Sequence, residues 1–232
     1  IIIRLEEDSN YDRVFDQISY FKEGKVHRQT RDENNDGKVD LDMYFDDQGL
    51  INKSRSDQNK DGRMDCFRTF SDGVIEKEEM DTNHDGKVNL WIAYQKGKAS
   101  HQKEDSNADG KIDIWVDMDD EGRPLRSRQD SNYNGTPEVW AEYKKGKLHK
   151  VSQDGDEDGK IDIWDFYQKG ELVQKDQDIN GDEKADIRWH YQNKILQKKE
   201  LDTDLDGRME TIEVYSAKGV MIKSRHDEDQ DG

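Results

Sequence analysis

The stretch Asp105-Ser106-Asn107-Ala108-Asp109-Gly110-Lys111-Ile112-Asp113 puts acidic or amide side chains at its first, third, fifth and ninth positions, with glycine at the sixth. Four oxygen-bearing groups so spaced on a tight loop can converge on one hard cation, and glycine permits the turn that closes the loop. Ligation by oxygen alone suits Ca2+ rather than Zn2+ or copper, which prefer nitrogen and sulfur. A single stretch of this kind also occurs in ordinary Asx turns. Here it recurs in register: loops begin at Asp8, Asp32, Asp57, Asp81, Asp105, Asp130, Asp154, Asp178, Asp202 and Asp227, at intervals of 24 or 25 residues. Without an ion, carboxylates clustered so closely would repel, which a merely structural turn would avoid.

The fullest ligand sets are Asp32, Asn34, Asp36 and Asp40; Asp57, Asn59, Asp61 and Asp65; Asp105, Asn107, Asp109 and Asp113; and Asp154, Asp156, Asp158 and Asp162. Close variants are Asp81, Asn83, Asp85 and Asn89, and Asp202, Asp204, Asp206 and Glu210. Three loops rank below these. Asp130, Asn132, Asn134 and Glu138 carry less charge. Asp178, Asn180, Asp182 and Asp186 have their glycine moved to Gly181, with Glu183 sixth. Asp8, Asn10, Asp12 and Asp16 have Arg13 in place of glycine. A tenth loop starts with Asp227, Asp229 and Asp231.

The elements that must position these loops follow from the residues between them. After each loop an alternating run such as Lys160-Ile161-Asp162-Ile163-Trp164-Asp165-Phe166-Tyr167 predicts a strand. The eighth and tenth positions are aliphatic in most repeats, and the fourteenth is aromatic in Phe21, Phe45, Phe70, Tyr94, Tyr143, Tyr167, Tyr191 and Tyr215, with Met118 the exception. A short turn such as Lys96-Gly97-Lys98 or Lys145-Gly146-Lys147 follows, then a polar return strand with an aliphatic start. No 3.6-residue periodicity runs through the unit, which disfavours helix. The eleventh position carries Trp91, Trp115, Trp140 and Trp164, with Asp42 and Arg188 as breaks. Such a row could stack against sugar rings. The plainer reading is that long Lys and Arg stems cover it.

The expected architecture is therefore all-β. Tandem 24–25-residue β-hairpin repeats joined by calcium-binding loops form an elongated meander or superhelical solenoid, with a closed β-propeller of two units per blade as the alternative. The whole of residues 1–232 reads as a single repeat array. It opens on what looks like the tail of an earlier repeat and stops inside a loop, as a fragment of a longer protein would.

Composition agrees. Hydrophobic residues make up 30% and charged residues 40%, too polar for a large core. Small units held partly by metal can still order. The net charge of -18 argues against nucleic acid and against a bare anionic membrane as partners. Nine divalent ions would cancel it. Cys66 is the one cysteine, so no intrachain disulfide forms, and its apolar repeat position predicts burial. No stretch is long enough to span a membrane. The six histidines fall at unrelated repeat positions, and no nucleophile–base constellation can be argued, so a catalytic role is not expected.

The loops resemble calcium-binding loops of EF-hand, dockerin, thrombospondin type-3 and integrin FG-GAP repeats. An EF-hand needs a bidentate Glu at position twelve, where this chain has Met43, Arg68, Ile92, Val116 and Ala141. The thrombospondin type needs regular cysteines. The D-x-D-x-D-G-x-x-D loop of integrin FG-GAP repeats, running into a strand, is the nearest of the four. By that likeness the seventh residue would add a backbone carbonyl: Lys38, Arg63, Lys87, Lys111, Thr136, Lys160, Lys184 and Arg208. The whole unit resembles tandem D-x-N-x-D-G repeats of bacterial surface proteins. This implies an extracellular, cell-surface or periplasmic calcium-stiffened structural or adhesive module. Self-association or a surface glycan or protein are the partners so implied. A tryptophan-ladder glycan module and an accessory domain of a secreted enzyme are the alternatives.

Overall fold

A computed structural model describes residues 2–227. It divides into two compact units, the first running to Ile112 and including Asp120–Gly122, the second comprising Asp113–Asp119 and the chain from Arg123 onward. The first unit contains β1 (Arg4–Glu7), β2 (Gln17–Lys22), β3 (Lys25–Arg31), β4 (Leu41–Phe45), β5 (Ile51–Ser56), β6 (Cys66–Ser71), β7 (Val74–Met80), β8 (Leu90–Gln95) and β9 (Lys98–Glu104). The second contains β10 (Ile114–Met118), β11 (Pro124–Gln129), β12 (Val139–Lys144), β13 (Lys147–Gln153), β14 (Ile163–Gln168), β15 (Glu171–Gln177), β16 (Ile187–Gln192), β17 (Ile195–Leu201), β18 (Thr211–Tyr215) and β19 (Met221–His226). No helix occurs among the described residues, so none is long and apolar enough to cross a membrane.

Within each unit the strands form an open antiparallel meander in which each pairs with its sequence neighbours. The sheet runs on through the acidic loops as it does through the hairpin turns. A propeller would break the ladder between blades, so the closed alternative is overturned. Two-residue turns such as Lys96-Gly97 and Lys145-Gly146 have positive φ at both residues, the hairpin geometry whose twist matches that of the strands. Longer turns, as at Asp46, close with the Asp46 N–H donating to the Leu50 carbonyl at 2.8 Å.

Two features depart from the expected strands. The first strand of each hairpin starts at the tenth repeat position rather than directly after the glycine, as in Leu41, Ile114 and Ile163. The ninth residue serves the loop instead: the Asp162 N–H donates to the Gln153 carbonyl at 3.0 Å while its carboxylate turns back into the loop. Second, every hairpin has a register shift beside the fourteenth position, for example between Glu142 and Tyr143 and between Phe166 and Tyr167. The extra residue lies on the return strand, at His149 and Val173, and sharpens the local twist.

Burial is inverted relative to an ordinary domain. Among the described residues only Cys66 and Ala141 are buried apolar side chains, whereas Asp57, Asp65, Asp81, Asp105, Asp113, Asp130, Asp154, Asp178, Asp186, Asp202 and Glu210 are all buried. The sheet faces are dressed by their own side chains. Arg128 lies 4.8 Å from the Trp115 ring centre, Lys150 5.6 Å from Phe166 and Lys199 5.7 Å from Trp189. Where the aromatic position is broken, ion pairs fill it. Asp42 receives Arg28 and Arg55, each at 2.8 Å, and Asp176 receives Arg188 at 3.0 Å.

Candidate metal centres

The loops lie between successive hairpins, each clamped at its mouth by two backbone bonds. In the Asp32 loop, Asp40 N–H donates to the Arg31 carbonyl and Asp57 N–H to the Asp40 carbonyl, both at 2.8 Å. Inside, the first carboxylate accepts the amides of the fifth and sixth residues: Asp36 N–H reaches Asp32 Oδ1 at 3.3 Å and Gly37 N–H reaches Oδ2 at 2.9 Å. The third side chain accepts the fifth amide, Asp36 N–H to Asn34 Oδ1 at 2.9 Å. The fifth accepts the seventh, Lys38 N–H to Asp36 Oδ1 at 2.8 Å. The ninth accepts the second, Glu33 N–H to Asp40 Oδ2 at 2.7 Å. All the side-chain oxygens therefore turn inward, fixed by the amides of their own loop.

The same pattern recurs at Asp57, Asn59, Asp61 and Asp65; at Asp81, Asn83, Asp85 and Asn89; and at Asp105, Asn107 and Asp109. Asp113 belongs to the second unit. The three loops ranked lower hold the same conformation. Arg13 and Glu183 adopt φ of 79° and 67° where the other loops have glycine, and their amides still donate to Asp8 and Asp178 at 2.8 and 2.7 Å. A non-glycine residue in this region costs about 1 kcal/mol or more, which the loop's hydrogen bonds offset. The Asp130 loop likewise keeps its bonds from Asn134, Gly135 and Thr136. In the incomplete tenth loop Asp227 N–H donates to the Glu210 carbonyl at 3.0 Å; Asp229 and Asp231 lie outside the described residues.

Three loops gather their carboxylates tightly enough to hold a metal ion. Asp202, Asp204, Asp206 and Glu210 form one group, Asp154, Asp156 and Asp158 a second, and Asp178, Asp182 and Asp186 a third, with one ligand oxygen from each residue within 4.8 Å of the others. Each group contains a buried oxygen without a hydrogen-bond partner: Glu210 Oε1, Asp154 Oδ1 and Asp186 Oδ1. Those residues are 6%, 7% and 1% exposed. A carboxylate taken from water costs several kcal/mol unless its oxygens find partners, so these bare oxygens are where a cation fits. The mutual repulsion has a visible effect on Asp204, whose carboxyl is raised by desolvation and by Asp206, Glu210 and Asp202. The donor set is oxygen throughout, which suits a hard divalent cation.

The seventh residues take part through their amides, as with Lys87 to Asp85, Lys111 to Asp109 and Lys160 to Asp158, each 2.8 Å. The four tryptophans lie elsewhere, on a sheet face. In the second unit Trp115, Arg128, Trp140, Ser152 and Trp164 follow one another in register across β10 to β14. Trp91 pairs with Glu79 and Lys103 in the first unit. The spacing of acids did not mark the fourth residue of the loop, which in several repeats reaches back into the preceding loop. Lys60 Nζ lies 3.1 Å from Asp40 and 2.7 Å from Glu33, His84 Nδ1 3.6 Å from Asp65, and Glu157 accepts Asn132 at 2.8 Å and Asn134 at 3.2 Å. Those residues differ from repeat to repeat, so only the register reveals their shared aim.

No family model matches the chain, and no curated protein does. Among solved structures, accessory secretory protein 1,2 and 3 in Streptococcus pneumoniae aligns over 40% of this chain and 18% of its own, at 18% identity and a TM-score of 0.31. TarM of S. aureus aligns over 47% of this chain and 19% of its own, at 18% identity and 0.31. TcdB2-TccC3 covers 90% of this chain and 15% of its own, at 9% identity and 0.22. The chain thus spans less than a fifth of the length of these neighbours, and likenesses at such scores carry no functional argument.

Proposed function

We propose that the chain is a calcium-binding structural repeat module, of the kind that forms stalks, adhesins or filaments outside bacterial cells. The observation that carries this reading is the set of buried, unpartnered oxygens of Asp154, Asp186 and Glu210, each within a group of inward-facing carboxylates. Burial supports it, because among the described residues almost no apolar side chain is buried to supply stability. Bound Ca2+ replaces that core: it neutralises the loops, joins the loop to the two strands it connects, and stiffens the hairpin junction. Ca2+ at a hundredfold excess over the dissociation constant adds about 2.7 kcal/mol per occupied site. No group in the sheet faces is assigned a catalytic role; self-association or a surface glycan or protein are the partners this reading implies.

The experiment is thermal unfolding followed by circular dichroism in millimolar Ca2+, in Mg2+ and in chelator. Ca2+ should raise the melting temperature well above the other two. Identical melts in Ca2+ and chelator, after metal analysis has confirmed the starting protein to be metal-free, would sink the calcium reading.

A second reading, recognition of a polysaccharide, is favoured by one observation: the in-register row of Trp115, Trp140 and Trp164. Alternate strands put neighbouring rings about 9.5 Å apart, close to the repeat of a sugar chain. The Arg128 guanidinium over Trp115 speaks for packing instead.

A further inference from the structure

Ninth-position carboxylates differ in what the next loop sets against them. Asp40 and Asp65 have a cationic or ionisable side chain from the next loop against them, Lys60 at 3.1 Å and His84 at 3.6 Å. Asp186 and Glu138 do not, and each retains a buried oxygen with no partner. The fourth residue of the loop following Asp186 is Leu205, and that following Glu138 is Glu157, neither of which can donate. The loops of Asp32, Asp57 and Asp178 have identical ligand types, Asp, Asn, Asp and Asp. Of these three, only the Asp178 loop brings three of its carboxylates within 4.8 Å of one another.

The cause lies in the backbone. The fourth residue is left-handed in the loops that carry Lys60, His84, Glu157 and Leu205, with φ of 64°, 60°, 63° and 63°. Loops lie on alternate strand junctions, two strands or roughly 9.5 Å apart. A side chain as long as lysine on such a residue spans that gap, and Lys60 does so while also bonding Glu33 at 2.7 Å. Its ammonium therefore supplies to Asp40 part of the positive charge that a metal ion would supply.

We propose that the fourth residue of each acidic loop sets the cation affinity of the loop before it, with Lys60 acting as a tethered competitor at the Asp32–Asp40 loop. The inference rests on the calcium reading and deepens it: the array is a graded series of sites, weaker where the following loop contributes a cation and tighter at Asp178–Asp186, where it contributes Leu205. A bound ion at the Asp32 loop must displace or share Asp40 with Lys60, whereas at the Asp178 loop the bare Asp186 Oδ1 is ready to ligate.

The test is a Ca2+ titration of the isotopically labelled chain followed by NMR. The readouts are the amides that donate to each first carboxylate: Gly37 for the Asp32 loop, Glu183 for the Asp178 loop and Gly207 for the Asp202 loop. In the parent chain Glu183 should titrate at lower Ca2+ than Gly37. Lys60→Ala should tighten the Gly37 midpoint about threefold or more, the size of effect expected for a partly exposed charge pair, and leave Gly207 unmoved. Alanine already occupies this position, with φ 62°, at Ala108. The converse variant Leu205→Lys should weaken the Glu183 midpoint and leave Gly37 unmoved. If Gly207 and Glu183 respond to Ca2+ but neither substitution shifts its loop, the competitor inference is overturned and the calcium reading stands. If no loop amide responds at all, both fall together.

Discussion

The backbone N–H of Asp202 donates to the carbonyl of Asp186 at 2.7 Å, so the first residue of one acidic loop is bonded to the last residue of the loop before it. Asp57 to Asp40, Asp81 to Asp65 and Asp178 to Asp162 repeat the bond at 2.8 Å. Each ninth residue is thus shared: its carboxylate belongs to its own loop and its carbonyl to the next. Ordering one loop fixes the acceptor on which its neighbour is built.

Asp186→Ala should therefore damage two loops. Asp186 Oδ2 accepts the amides of Ile179 at 2.6 Å and Asn180 at 3.2 Å, and the residue is 1% exposed. Leaving those amides unsatisfied costs about 1–3 kcal/mol. In chelator the variant should melt earlier than the parent, and hydrogen exchange should speed up at the amides of Ile179, Asn180 and Asp202 but not at Asp154. Faster exchange confined to residues 178–186 would show that the loops are not coupled.

A second prediction concerns acid. Burial by itself would raise the Glu78 carboxyl, but the Tyr94 hydroxyl at 2.7 Å and the Arg68 guanidinium at 2.6 Å more than offset this and hold it below its ordinary 4.5. A group lowered in the folded state contributes stability that is complete above its unfolded pKa and disappears as pH falls through the folded one. The Glu78 contribution should thus be lost progressively below about pH 4.5. Glu78→Gln should lower stability at pH 7 and flatten the decline in that window. Parallel stability curves for parent and variant from pH 6 to pH 3 would refute this.

Cys66 offers a third. Burial pushes its thiol up to about 11, and the residue is 1% exposed beside Glu78. The thiolate is the reactive form, so Cys66 should resist a disulfide reagent at pH 8 in the folded chain and react stoichiometrically in denaturant. Rapid labelling of the native protein would contradict the burial.

Much of this architecture was legible in the residues. The carboxylates at Asp105 and Asp109 and the amide at Asn107 mark a loop because their alternation is local. Lys96-Gly97 marks a hairpin because only a few residues tolerate its backbone. The bulge at His149 or Val173 was not legible, since an extra residue in a polar return strand alters no pattern. The delayed strand starts escaped for a related reason: Ile161 and Ile163 alternate as a strand would, but Asp162 between them is committed to the loop. The back-reach of Lys60 to Asp40 depends on which strands are neighbours, and Lys60 reads in isolation as one more surface lysine. That the loops at Asp8 and Asp178 keep the turn without glycine at the sixth position was not legible either, because it rests on the Arg13 and Glu183 amides donating to the first carboxylate.

The tryptophan row separates packing from recognition. Trp115, Arg128 and Trp140 are consecutive in register on β10, β11 and β12, with Arg128 4.8 Å from the Trp115 ring centre. Ser152 then separates Trp140 from Trp164, and Asp176 follows. The rings are half-buried, and among the described residues no other layer of the second unit covers them. Half-burial of an indole contributes about 1–2 kcal/mol, and the guanidinium contact about 0.5–1 kcal/mol more. With hardly any apolar core elsewhere, these contributions are ones the unit cannot spare. Replacing Trp115 and Trp140 together with Ala should lower the melting temperature in Ca2+ and in chelator alike, since neither ring lies in a loop. The parent chain should show no binding across a glycan array that the double variant lacks. A parent that binds a polysaccharide, with a variant that melts normally and no longer binds, would instead assign the row to sugar recognition.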